Sequence, residues 1–113
     1  MKIILALLVV LLAGCASTFD TEEQYIRELE AEAYANREYD KPNVQMVYRF
    51  VDNPDKICRE MGTNAYTTWD VKACAAIALT PCVIILPYAP LKRWVREEQL
   101  HCRFGNFHRK KAD

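Results

Sequence analysis

Serine is almost missing from this chain. Among 113 residues Ser17 is the sole one, which excludes a serine–histidine–acid triad. Glycine is nearly as scarce, at three residues, so no glycine-rich loop is available to cradle a phosphate. An excess of charge is missing too: Lys+Arg and Asp+Glu stand at 15 each. That balance removes any bulk attraction to nucleic acid, and no nucleic-acid partner is expected. The length excludes a multidomain enzyme and permits one small domain. There is no internal repeat and no low-complexity stretch.

What is present begins at the N-terminus. Met1-Lys2 is a short positive start, and Ile3 to Ala13 is an unbroken apolar run. As a helix this run rises only about 16 Å, roughly half of a bilayer's hydrocarbon core, which fits a signal-peptide h-region and not a span. Leu12-Ala13-Gly14-Cys15 follows and resembles a bacterial lipobox. The thiol explains the requirement, because only cysteine can carry a thioether-linked diacylglycerol. The sequence therefore divides into a lipoprotein signal peptide (1–14), a lipidated tether (15–19) and one small domain (20–113). A single acyl chain binds membranes marginally and two or more bind stably, so acylated Cys15 would anchor the domain in lipid. Ala16 replaces the aspartate that retains such proteins at the inner membrane, so the resemblance implies the periplasmic face of the outer membrane.

The domain reads as α+β. Asp20 with Glu23 is an N-cap and capping box, opening a long N-terminal helix over about 21–38. Tyr25, Ile26, Leu29 and Ala33 share one face of it. Val44, Met46, Tyr48 and Phe50 alternate with polar positions as in a half-buried strand. Pro54 suits a first helical position, and a short helix through Cys58 would end at Gly62. Val71–Leu79 and Cys82–Leu86, parted by Thr80-Pro81, suggest a strand pair and a three-stranded antiparallel sheet in all. A closing helix over about 91–104 stops at Gly105. Between Asp20 and Lys41 there are eight acidic residues against three basic, and from Lys92 onward seven basic against three acidic. These segments could attract each other or a partner, and the sequence does not choose.

With Cys15 consumed by lipid, Cys58, Cys74, Cys82 and Cys102 remain. An even count in an exported domain implies two disulfides, and the spacings are not the CxxC pairs of zinc-thiolate sites. Three pairings are open. A hairpin centred near Ala78 would set Cys74 opposite Cys82 and leave Cys58 for Cys102.

Both histidines fall in the segment Glu97-Glu98-Gln99-Leu100-His101-Cys102-Arg103-Phe104-Gly105-Asn106-Phe107-His108. On a helix Glu97 and His101 are one turn apart on one face, and Gly105 can turn the chain to bring His108 back. From Val44 to His108 the chain resembles a group of small bacterial lipoproteins and phage-type proteins ending in a zincin-like HExxHCxxGxxH pattern. The resemblance implies Glu98 as general base on metal-activated water, with His101 and His108 as metal ligands. Cys102, Gly105 and Phe107 match the trailing positions. Glu97 stands where the pattern has its first histidine. A carboxylate can hold zinc, yet it adds negative charge and weakens the Lewis acid. The first expectation is therefore non-enzymatic: an envelope lipoprotein with a structural or protein-interaction role, no cofactor, and a protein partner in the envelope. The alternative is a zincin-like metallopeptidase-like hydrolase, or a degenerate relative, with zinc on Glu97, His101 and His108. The plain reading of the same residues places Glu97 and Glu98 on a solvated face among Arg93 and Arg96, and His101 as a charged residue near a helix C-terminus.

Overall fold

The computed structural model describes residues 21–63 and 68–108. The signal peptide, Cys15 with its tether, the Asp20 cap and the basic tail from Arg109 lie outside the described residues. No helix among the described residues is long and apolar enough to cross a membrane.

The elements are α1 (residues 21–35), β1 (Met46–Phe50), α2 (Pro54–Glu60), β2 (Cys74–Ala76), β3 (Cys82–Leu86) and α3 (Lys92–Phe104). Local chemistry accounts for most boundaries. Asn53 caps α2 by accepting the Lys56 N–H, and Pro54 opens the helix where its missing N–H costs nothing. Gly62 lies just beyond its end at φ +83°. Asp55, in the first turn, accepts hydrogen bonds from the Val71 amide and from Arg59, pinning the following segment to α2. The Val71 amide, ahead of Arg59, holds the Asp55 carboxyl below its ordinary range.

The expected all-antiparallel sheet is not the one that forms. Strand order is β1-β3-β2, with β1 parallel and β2 antiparallel to β3. A tight hairpin forces β2 and β3 antiparallel. The chain from β1 passes through α2 to lay down β2 one strand-width away, and β3 then returns between them in the direction of β1. The short helix expected through Cys58 is α2, between β1 and β2 in sequence. β1, being an edge strand, is largely exposed and not half-buried along one face as its alternation suggests. β2 keeps only three of the residues expected between Val71 and Leu79.

The disulfides are Cys58–Cys74 and Cys82–Cys102, which corrects the Cys74–Cys82 and Cys58–Cys102 pairing. Strand parity explains the outcome. Cys74 faces Ile85 in the ladder, so the hairpin turns later than Ala78 and Cys82 lies beyond its last pair, Ala76 with Val83. Cys82 and Ile85 are three apart on β3 and so point to opposite faces. One face carries Cys74 and Ile85 against Cys58 of α2; the other carries Cys82, Ile84 and Leu86 against Cys102 of α3. Each bridge thus staples one helix to one face of the sheet. By loop length each contributes about 3 kcal/mol.

A third cluster docks α1 on the outer side of α3 through Leu29, Ala33, Leu100, Phe104 and Phe107. Around it Arg96 pairs with Glu30 at 2.7 Å and Arg103 with Asp40 at 2.9 Å. The acidic first segment and the basic last one therefore meet within the molecule. Both pairs are part-exposed, so each contributes no more than about 1 kcal/mol.

Candidate metal centre

α3 supplies three of the four candidate residues. Glu97 and His101 stand one helical turn apart on its flank, and Glu98, the next position round, turns inward and is only 6% exposed. The helix stops at Gly105, whose N–H donates to the His101 carbonyl. Gly105 adopts φ +80°, where a Cβ would lie 2.8 Å from Glu38 Oε1 and from a Tyr39 ring carbon. Only glycine fits there. The chain then drives Phe107 into the α1–α3 core, fully buried and stacked on the His101 ring at 4.4 Å. His108 emerges next, beside Glu97 and His101.

The resulting geometry is specific. His101 Nδ1 lies 2.9 Å from the Gly105 carbonyl oxygen. A carbonyl can only accept, so Nδ1 carries the proton and Nε2 presents its lone pair. That Nε2 is 3.2 Å from His108 Nε2, which is itself 3.2 Å from Glu97 Oε1. One ligand atom each from Glu97, His101 and His108 lies within 4.8 Å of the others. Tetrahedral zinc with bonds near 2.0–2.1 Å spaces its ligands about 3.3 Å apart, so the set fits a divalent ion with small adjustment. Without one, a proton on His108 Nε2 occupies the point of convergence, shared between Glu97 and the His101 lone pair. Glu32 of α1 reaches the other side of His108, 3.6 Å from Nδ1.

Protonation follows from these contacts. The hydrogen bond with Glu97, helped by the charge of Glu32, raises His108 above its ordinary value. The same bond lowers Glu97. Burial, more than any neighbour, pulls His101 down, so it is neutral near pH 7 and not the charged helix-end residue of the plain reading. Glu98 is pushed up to about 8, first by burial and then by the negative charge of Glu97. Among the described residues the Glu98 carboxyl makes no hydrogen bond or ion pair, and its oxygens open on the cleft beside the cluster. Arg96 is turned away to Glu30 and Gln99, so the solvated-face reading of Glu97 and Glu98 does not hold.

The cluster opens on a cleft of about 650 Å³. Edge strand β2 and its flanks contribute Ala73, Ala75 and Ile77, α3 contributes Trp94, and the segment before β2 contributes Trp69 and Lys72. Comparison with family models, curated proteins and solved structures finds no match to this chain.

The sequence brought Glu97, Glu98, His101 and His108 together, and the structure does so as well. Glu32 is not legible as a site residue in the sequence, because it is far from α3 along the chain and lies in a run of acidic residues on α1. The heptad-like proximity of Leu29 and Ala33 to the same helix face was the one available signal.

Proposed function

We propose that this chain is a lipid-anchored envelope protein whose domain is a zincin-like, metal-dependent hydrolase. Glu97, His101 and His108 would hold the ion, and Glu98 would serve as general base. The observation that carries this reading is Glu98: a carboxyl 6% exposed, unpartnered, and lining the cleft beside the three ligand atoms. Its oxygens open on the cleft, since among the described residues no fully buried side-chain oxygen lacks a partner, while the packing around the rest of the side chain raises the carboxyl to about 8. A carboxyl raised by burial and by a neighbouring negative charge, at the wall of a cleft, suits acid–base chemistry there. When bound, a divalent cation supplies Lewis-acid polarisation of a carbonyl and acidifies water.

The residues of the chain do the rest. A nearby positive charge favours ionised Glu98, reversing the effect of burial, and its carboxylate then accepts the proton of the attacking water. The same carboxyl can return that proton to the leaving group. The Gly105 carbonyl and the stacked Phe107 ring orient His101, and Glu32 orients His108 from behind, in the manner of carboxylate–histidine pairs that align metal ligands. Trp94 and the flank of β2 line the cleft beside the cluster. The resemblance in the motif makes peptide bonds the expected substrate class. Lipid on Cys15 would hold the domain at the periplasmic face of the outer membrane.

A second reading, a non-catalytic domain for binding an envelope protein, is favoured by one observation. Glu97 and His108 lie 3.2 Å apart as an ion pair, which gives both groups a structural use. Elemental analysis after exposure to zinc separates the two. One zinc per chain, lost in His101→Ala, supports the hydrolase; no zinc in either protein leaves the binding role. Intact mass of the cell-derived chain tests the lipid on Cys15 separately.

A further inference from the structure

One end of the fold gathers the starts of two helices and the finishes of two strands. β1 and β3 run parallel, so Phe50 and Leu86 finish side by side. α3 runs back from there, since Cys102 is bonded to Cys82 at the other end of β3. α1 lies along α3 in the same direction: Tyr25 sits by Arg93, Glu30 by Arg96, and Leu29 and Ala33 by Leu100 and Phe104. The first turns of α1 and α3 therefore share an end with Phe50 and with the 87–91 connection.

That end exposes large apolar side chains. Tyr25 is 47% exposed, Phe50 48%, Tyr88 68% and Leu91 39%. Clustered exposed aromatics mark an interaction surface, and tyrosine suits the boundary between water and lipid. The occupant is indicated by the chain itself. Cys15 lies six positions before residue 21, where the described part of α1 begins at this same end. Six extended residues span about 20 Å at most. An acyl group on Cys15 would thus hold this end against the bilayer that receives it. Charge does not select the surface, because Lys92 and Arg27 there are balanced by Glu22 and Glu23.

We propose that this end is a membrane-docking face, with Tyr25, Phe50, Tyr88 and Leu91 seated in the headgroup region around the anchored lipid. The proposal rests on the lipobox reading of Cys15. Docking in this way fixes the orientation of the domain. Glu97 and His101 then stand about 8–14 Å along α3 from the docked end.

The test uses the full lipidated chain reconstituted in neutral phosphatidylcholine vesicles with brominated acyl chains. Tryptophan is introduced as Tyr88→Trp at the docking end or Leu79→Trp at the opposite end, and the signal of Trp69 and Trp94 is subtracted with the parent chain. Both positions are exposed, so neither change disturbs the core. The expected result is bromine quenching about twofold or more stronger at position 88 than at position 79, unchanged by salt. Equal quenching at the two positions on a lipidated chain overturns the docking face and leaves the anchor intact, and so does equal shielding by self-association of the chain. An unmodified Cys15 in the intact mass overturns the anchor, and the docking face with it.

Discussion

Gly105 accepts a hydrogen bond from His101 through its carbonyl while its own N–H donates to the His101 carbonyl. One residue thus ends the helix and chooses which imidazole nitrogen faces Glu97 and His108.

Gly105→Ala tests it. The new Cβ would meet Glu38 and Tyr39 at 2.8 Å, in a backbone conformation that side chains rarely adopt. We expect a loss of about 1–3 kcal/mol in stability. Zinc affinity should fall at least about tenfold, as for other disturbed orienting partners. Thermal melts and zinc titration of the two proteins measure both effects.

Glu98→Gln should stabilise the metal-free protein and flatten its pH dependence. The folded-state value of Glu98, about 8, lies above that of the unfolded chain. Between roughly pH 4.5 and 8 the folded state binds the extra proton, so stability falls as pH rises through that window. The penalty at pH 8 and above is on the order of a few kcal/mol. Melts of both proteins without metal, at pH 5 and pH 8, should diverge at the higher pH alone. Parallel curves would remove the buried carboxyl from the account.

Metal affinity should weaken as pH falls through the raised value of His108. The ion must displace the proton that His108 shares with Glu97, so binding releases a proton in that range. In the metal-free protein the same pair acts oppositely. The His108 contribution is fully present below the ordinary histidine value and is lost as pH rises through the folded one. The Glu97 contribution is present above the ordinary carboxylate value and is lost as pH falls through its lowered one. Calorimetric zinc titration in buffers of different ionisation enthalpy counts the released proton. Glu32→Gln should reduce the affinity without altering the one-to-one stoichiometry.

Peptide mapping under non-reducing conditions should recover Cys58 with Cys74 and Cys82 with Cys102. Replacing Cys82 and Cys102 together with alanine should cost about 2–4 kcal/mol and loosen α3 against β3. Because α3 carries Glu97, Glu98 and His101, zinc affinity should drop with it. The matching change at Cys58 and Cys74 loosens β2 and the cleft wall but leaves α3 stapled, so it should affect zinc affinity less.

Much of the local structure was legible. Pro54 and Gly62 bracket α2, Gly105 stops α3, and the one-turn spacing of Glu97 and His101 shows on any helical reading. These are signals within a few residues, where steric preference and spacing act directly. The disulfide pairing and strand direction were not legible. Both depend on which edge of β3 receives β1 and on where the β2–β3 turn falls, and a shift of one residue there moves a cysteine to the opposite face.

The chain alone determined that four cysteines form two bridges, that a helix carries a carboxylate and a histidine on one flank, and that glycine ends it. Tertiary structure decided the rest. Packing α1 on α3 brought Glu32 to His108, and burying Phe107 turned His108 back to the helix. Closing the α3 flank against β2 left Glu98 mostly buried at the wall of the cleft. A carboxyl's charge state depends on the dielectric around it, and that surrounding exists only once distant segments have packed together.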